Sequence, residues 1–92
     1  MTVKVRIPPP LRPETGGEAE VPARGATVRA VLDDLAQRFP ALGRQILDDG
    51  DIARFVNVYV DGEDVRTRGG LETSTSDGAT IILLPAVAGG VL

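Results

Sequence analysis

Apolar and polar residues alternate from the first positions of the chain, where Val3, Val5 and Ile7 interleave with Lys4 and Arg6. A period of two puts the three apolar side chains on one face of a half-buried strand over residues 2–7. Pro8-Pro9-Pro10 must end it, because proline cannot donate to a sheet ladder. The turn chemistry of Thr15-Gly16-Gly17, in a loop over 11–17, predicts a hairpin. Its second strand is expected over 18–22, with Ala19 and Val21 on one face. The period then lengthens: Val28, Val31, Leu32, Leu35 and Phe39 form one helical stripe, and Arg29, Asp33, Asp34, Gln37 and Arg38 lie opposite. Thr27 suits the N-cap, and Phe39 precedes Pro40, which disfavours helical geometry there. The spacing also predicts i,i+4 ion pairs of Arg29 with Asp33 and of Asp34 with Arg38. Exposed pairs of this kind contribute only tenths of a kcal/mol, so the apolar stripe decides where the helix sits. A shorter helical turn over 41–47 would add Leu42, Ile46 and Leu47 to the core.

The second half reads as strands. Phe55-Val56-Asn57-Val58-Tyr59-Val60 is rich in β-branched and aromatic residues, and Asp61-Gly62 is a strong turn signal. Residues 64–66 are expected as a short returning edge strand. Gly69-Gly70-Leu71 and Asp77-Gly78 mark further turns before residues 80–84, an almost fully apolar run that predicts a central strand buried on both faces. The order is strand, strand, helix, then two or three strands, and one helix stripe can cover one sheet. This is an α+β layer pair with a mixed sheet of four to five strands and one main helix across it. If the first and last strands are central they lie side by side and parallel, with residues 85–92 projecting from the end of the middle strand.

Composition narrows the chemistry. Ninety-two residues make one domain with a small core and little room for a deep pocket. The chain has neither histidine nor cysteine, which removes the commonest general base, the thiolate nucleophile and the best zinc ligands. A non-enzymatic role and a reducing, cytoplasmic setting are therefore expected. Its net charge of −3 and scattered basic residues argue against nucleic acid. No apolar stretch approaches a membrane span or the core of a secretion signal. Asp48-Asp49-Gly50-Asp51 lacks the alternating carboxylates and the closing glutamate of a calcium loop, so it is expected as a solvated loop with no metal. Together with Asp33 and Asp34 these carboxylates serve either solubility or the steering of a basic partner.

Near the end of the sequence Gly89 and Gly90 follow an apolar run and precede Val91 and Leu92. A glycine has no Cβ, so its carbonyl can enter a narrow active site closed to bulkier residues. With 11 glycines present, chance predicts roughly one Gly-Gly pair, and Gly16-Gly17 and Gly69-Gly70 also occur. Position and composition alone are equally compatible with a plain solvent-exposed end.

More is carried by several segments taken jointly. These are Ile7-Pro8 with Leu11-Arg12-Pro13, Thr15-Gly16-Gly17, Arg54-Phe55-Val56-Asn57 with Tyr59-Val60, Glu63-Asp64-Val65-Arg66, Gly69-Gly70-Leu71, and Leu84-Pro85-Ala86-Val87-Ala88-Gly89-Gly90. Over nearly its whole length the chain resembles the β-grasp, ubiquitin-like sulfur carriers of the ThiS/MoaD family, which serve thiamin, molybdopterin and cysteine biosynthesis. The cysteine branch is the nearest match. The resemblance implies a β-grasp domain over residues 1–86 and a flexible tail over 87–92. It implies that an E1-like enzyme uses ATP to adenylate the carboxylate of Gly90 and that a sulfur donor then leaves a thiocarboxylate. It implies a monomeric carrier that binds no cofactor of its own, and a tail recognised through Val87, Ala88 and Gly89, with Val87-Ala88 extended in the partner's channel and Gly89 keeping the approach slim. In the cysteine branch the partners are a PLP-dependent synthase acting on O-phosphoserine and a zinc metalloprotease of the JAB/MPN type. The sequence departs from the family pattern at Val91-Leu92, since mature carriers end at the second glycine. The expectation is a precursor cleaved between Gly90 and Val91. The same resemblance leaves open thiamin, molybdopterin or a specialised metabolite as the destination, and a ubiquitin-like modifier joined through Gly90 to lysines.

Overall fold

Period-two alternation at the amino terminus becomes strand β1 (Thr2–Arg6), in which Val3 and Val5 are buried while Thr2, Lys4 and Arg6 face outward. The computed structural model describes residues 1–85. After β1 the prolines enter a 3₁₀ turn, Pro9–Thr15, closed by Gly16 at φ 68 in the left-handed region. Thr15 is buried there. Its hydroxyl lies 3.1 and 2.9 Å from the carbonyl oxygens of Arg12 and Glu18, which accept its proton. Strand β2 (Glu20–Arg24) returns antiparallel to β1 with Val21 and Ala23 buried. The expected strand lies two residues too early: Ala19 shares the parity of Val21 and its carbonyl accepts the Ile7 N–H at 2.8 Å, but it precedes the strand and is exposed.

Helix α1 (Val28–Arg38) follows the apolar stripe, with Val28, Val31, Leu32 and Leu35 buried. The Thr27 hydroxyl caps it, accepting the Ala30 N–H at 3.2 Å. Of the two expected ion pairs, Arg38 with Asp34 forms at 3.2 Å. Arg29 instead reaches Glu72 at 2.8 Å, because the turn carrying Glu72 packs beside α1. Helix α2 (Pro40–Ile46) contributes Leu42 and Ile46 to the core, with Leu47 partly buried. Its crossing of α1 is close: a Cβ on Gly43 would lie 2.6 Å from Cβ and 2.9 Å from Cα of Ala36.

The acidic run expected as a solvated loop is a small hairpin, β3 (Leu47–Asp48) with β4 (Asp51–Ile52). Asp49 at φ 54 and Gly50 at φ 81 form its two-residue turn, the left-handed pair that a right-twisted hairpin prefers. Strand β5 (Val56–Val60) turns through Asp61 and Gly62 in the same way into β6 (Glu63–Asp64). The edge strand is shorter than expected, since a 3₁₀ turn, Val65–Thr67, begins at once and buries Val65. A second, Gly70–Glu72, buries Leu71.

Strand β7 (Thr80–Pro85) completes a five-stranded sheet in the order β2-β1-β7-β5-β6. β1 and β7 are parallel neighbours at its centre and every other pair is antiparallel. Both helices cover one face, where Val3, Val5, Val58, Ile81 and Leu83 meet Val31, Leu32, Leu35, Leu42 and Ile46 in one core. The outer edge of β2 is blocked at two positions. Asp34 accepts the Arg24 N–H at 2.9 Å and Arg38 donates to the Pro22 carbonyl, so the outward backbone groups at both positions are already paired.

Candidate functional site

The sheet delivers its central strand to one end of the molecule, where Pro85 of β7 lies opposite Val56 of β5. Side chains alternate along β7. Ile81 and Leu83 point to the helices, and Ile82 and Leu84 point to the open face, with Leu84 43% exposed. The expectation of a central strand buried on both faces is thus corrected, because both helices pack on the same side of the sheet. The sequence signal for this lies in β1, whose residues on the same open face are Lys4 and Arg6.

Register assembles the neighbours of these two side chains. Ile82 has Tyr59 on one side and Arg6 on the other, and Leu84 has Asn57 opposite, one row nearer the exit. Beside them lies a shallow groove of about 340 Å³ whose lining includes Ile7, Pro8, Pro9, Arg12, Ile82 and Leu84. The guanidinium of Arg12 is held by donation from Nε to the Ile7 carbonyl at 3.0 Å. Three prolines in succession and this hydrogen bond fix the groove wall before any partner arrives. On the other flank the turn 53–56 exposes Phe55. The end of β7 is therefore bordered by apolar side chains and by Arg6 and Arg12, with Arg54 on the adjacent turn, in a chain whose net charge is −3.

This arrangement suits recognition: an open apolar strip with cationic margins can seat a protein surface beside the chain that continues from Pro85. Among the described residues no group of three or more His, Cys, Asp or Glu side chains is placed to hold a metal ion, and no helix is long and apolar enough to cross a membrane. The sequence-predicted site residues Val87, Ala88, Gly89, Gly90 and Val91 lie outside the described residues. The strip of Ile82, Leu84 and Tyr59, which sequence reasoning did not single out as a surface, is what the structure adds.

A family model described as the ThiS family matches residues 5–90. The chain belongs to the ThiS family. Sulfur carrier protein CysO of Mycobacterium tuberculosis (strain ATCC 25618 / H37Rv) is 47% identical over 93 residues, spanning 98% of this chain and 100% of that protein. A chain in the crystal structure of the Amycolatopsis orientalis BexX/CysO complex is 49% identical, with a TM-score of 0.89 over 96% of this chain and 99% of that one. The solution structure of small archaeal modifier protein 1 from Methanosarcina acetivorans is 34% identical, with a TM-score of 0.85 over 97% and 96%. The sheet order and these likenesses establish the β-grasp architecture expected from the sequence. Homology to CysO carriers supports a ubiquitin-like carrier role for this ThiS-family chain, in a family of small carriers.

Proposed function

We propose that this chain is a ubiquitin-like sulfur carrier whose working group is the carboxyl of Gly90, most directly in cysteine biosynthesis. The reading is carried by the ThiS-family match, which extends through both glycines and ends at Gly90, leaving Val91 and Leu92 outside it. In the full sequence the Gly90 carbonyl belongs to a peptide bond with Val91, so the first step is hydrolysis of that bond, for which a JAB/MPN-type zinc metalloprotease is the proposed agent. The freed carboxylate attacks the α-phosphorus of ATP on an E1-like enzyme, pyrophosphate departs, and a resonance-stabilised anion becomes a reactive acyl adenylate. A sulfur donor then displaces AMP and leaves the thiocarboxylate. In the cysteine branch this sulfur adds to an aminoacrylate formed from O-phosphoserine on a PLP-dependent synthase. An S-to-N acyl shift gives a cysteinyl amide on Gly90, whose hydrolysis returns the carrier carboxylate.

The chain's own contribution is delivery. Its fold holds β7 rigidly in the sheet while Gly89, without a side chain, keeps the approach to position 90 narrow. Val87 and Ala88 would be held by main-chain hydrogen bonds in the partner's channel, a mode that tolerates small side chains. Glycine loses more conformational entropy than other residues on being fixed, which favours release and transfer to the next enzyme.

The test compares the full chain with a form ending at Gly90 in an ATP–pyrophosphate exchange assay with the cognate activating enzyme. Exchange by the shortened form alone is expected; exchange by neither would sink the carrier reading. Mass spectrometry of protein from its native host tests the trimming separately, and a thiocarboxylate-bearing form that retains Val91 and Leu92 would rule it out. A second reading, conjugation through Gly90 to lysines of other proteins, is favoured by the likeness to small archaeal modifier protein 1. Isopeptide-linked conjugates in lysate would support it.

A further inference from the structure

Phe55 is 52% exposed, and the turn that carries it is unusually well anchored for a surface loop. The Val56 N–H closes the turn on the Ala53 carbonyl at 3.0 Å. Arg66 reaches across from the neighbouring 3₁₀ turn and donates to the carbonyl oxygens of Ala53 (3.3 Å) and Val56 (2.8 Å) and to Oδ1 of Asn57. The base of Arg66 is itself fixed, because Asp64 Oδ1 accepts its backbone N–H at 2.9 Å. An aromatic ring held out to solvent on a turn fixed from three points has little conformational freedom left to lose on binding.

The surroundings describe what it would meet. Phe55 borders a groove of about 510 Å³ between this turn and the end of α2, with Arg44, Gln45 and Arg54 on its rim and Asp48 as an acidic rim residue. Among the described residues neither Arg44 nor Arg54 is in an ion pair. Exposed Phe beside unpaired Arg, in a chain of net charge −3, complements an apolar pocket edged by carboxylates. Position adds a constraint. Val56 lies opposite Pro85, and Gly90 is five residues further on, a reach of at most about 18 Å for extended chain.

We propose that Phe55, flanked by Arg44 and Arg54, is a specificity contact for the ATP-dependent enzyme that activates Gly90, which covers it with an apolar pocket bearing an acidic rim. This rests on the Gly90 reading above. The segment Val87-Ala88-Gly89-Gly90 offers small side chains and little to discriminate by, so selection of one carrier over another has to come from the folded surface. Activation is the step at which such selection matters most, because ATP is consumed there irrespective of where the sulfur later goes.

The experiment measures pyrophosphate release by the cognate activating enzyme against the concentration of chain ending at Gly90, for the parent, Phe55→Ser and Arg54→Glu. Both substituted side chains are exposed, and unchanged thermal melts establish that the variants are folded. The expected result is a KM raised about tenfold or more for Phe55→Ser, and raised for Arg54→Glu in a salt-dependent way, with kcat unchanged in both. A KM within about twofold of the parent for both variants would overturn the proposal. So would normal activation accompanied by a defect only in later sulfur transfer, which would assign the turn to a downstream partner. If the parent itself releases no pyrophosphate, the Gly90 reading fails first and this inference goes with it.

Discussion

Leu83 and Leu84 are neighbours on β7 with opposite fates, Leu83 fully buried beneath the helices and Leu84 43% exposed on the open face. Truncating each to alanine therefore separates packing from surface. For Leu83 the loss combines the transfer free energy of the removed carbons with the cavity they leave among Val58, Ile81 and the helix residues, in all about 3 kcal/mol within the 2–5 typical of buried leucines. A 92-residue domain has a total stability of about 5–14 kcal/mol, so the change removes a large part of it. It should lower the melting temperature by roughly 15 °C. Leu84→Ala should stay within about 0.5 kcal/mol of the parent, as exposed substitutions do. Urea denaturation monitored by circular dichroism, with thermal melts alongside, reads both. Equal and large losses would refute the one-sided sheet and with it the open strip at the chain exit.

Gly43→Ala places a methyl 2.6 Å from Cβ of Ala36 at the helix crossing, and should cost about 1–3 kcal/mol through displacement of α2, measured by denaturant midpoint. Thr27→Ala removes the acceptor of the Ala30 N–H and should cost about 1 kcal/mol, with hydrogen exchange accelerating first in the opening turn of α1. Replacing Asp34 and Arg38 together by alanine frees the Arg24 N–H and the Pro22 carbonyl on the edge of β2. Light scattering on parent and variant side by side should then detect stronger concentration-dependent association in the variant, and no difference between the two would contradict the protective role of this pair.

Most of the topology was legible because the signals were redundant. The stripe from Val28 to Leu35, the Thr27 cap and the alternation in β1 each point to the same layer arrangement, and the apolar run at residues 80–84 marks the central strand. What the local pattern could not supply was the side from which that strand is covered. Ile82 and Leu84 are as apolar as Ile81 and Leu83, and only the placement of both helices on one face distinguishes them. Asp49-Gly50 carries the same hairpin signal as Asp61-Gly62, but its strands are only two residues long and too short to show a period of two, so the run reads in sequence as a solvated loop. Arg29 chose Glu72 over Asp33 because a tertiary neighbour, invisible in the helix sequence, came within reach. The glycine pair proposed to carry the chemistry was conspicuous in sequence, whereas the side chains flanking the exit became visible as a surface only through strand register and turn geometry.

The most direct test of the carrier account is intact-mass spectrometry of the chain ending at Gly90 after incubation with its activating enzyme, ATP and a sulfur donor. The account predicts a gain equal to the replacement of one oxygen by sulfur, localised to Gly90 by fragmentation and dependent on ATP. An unchanged mass, with an enzyme shown to activate another carrier in the same mixture, would contradict it.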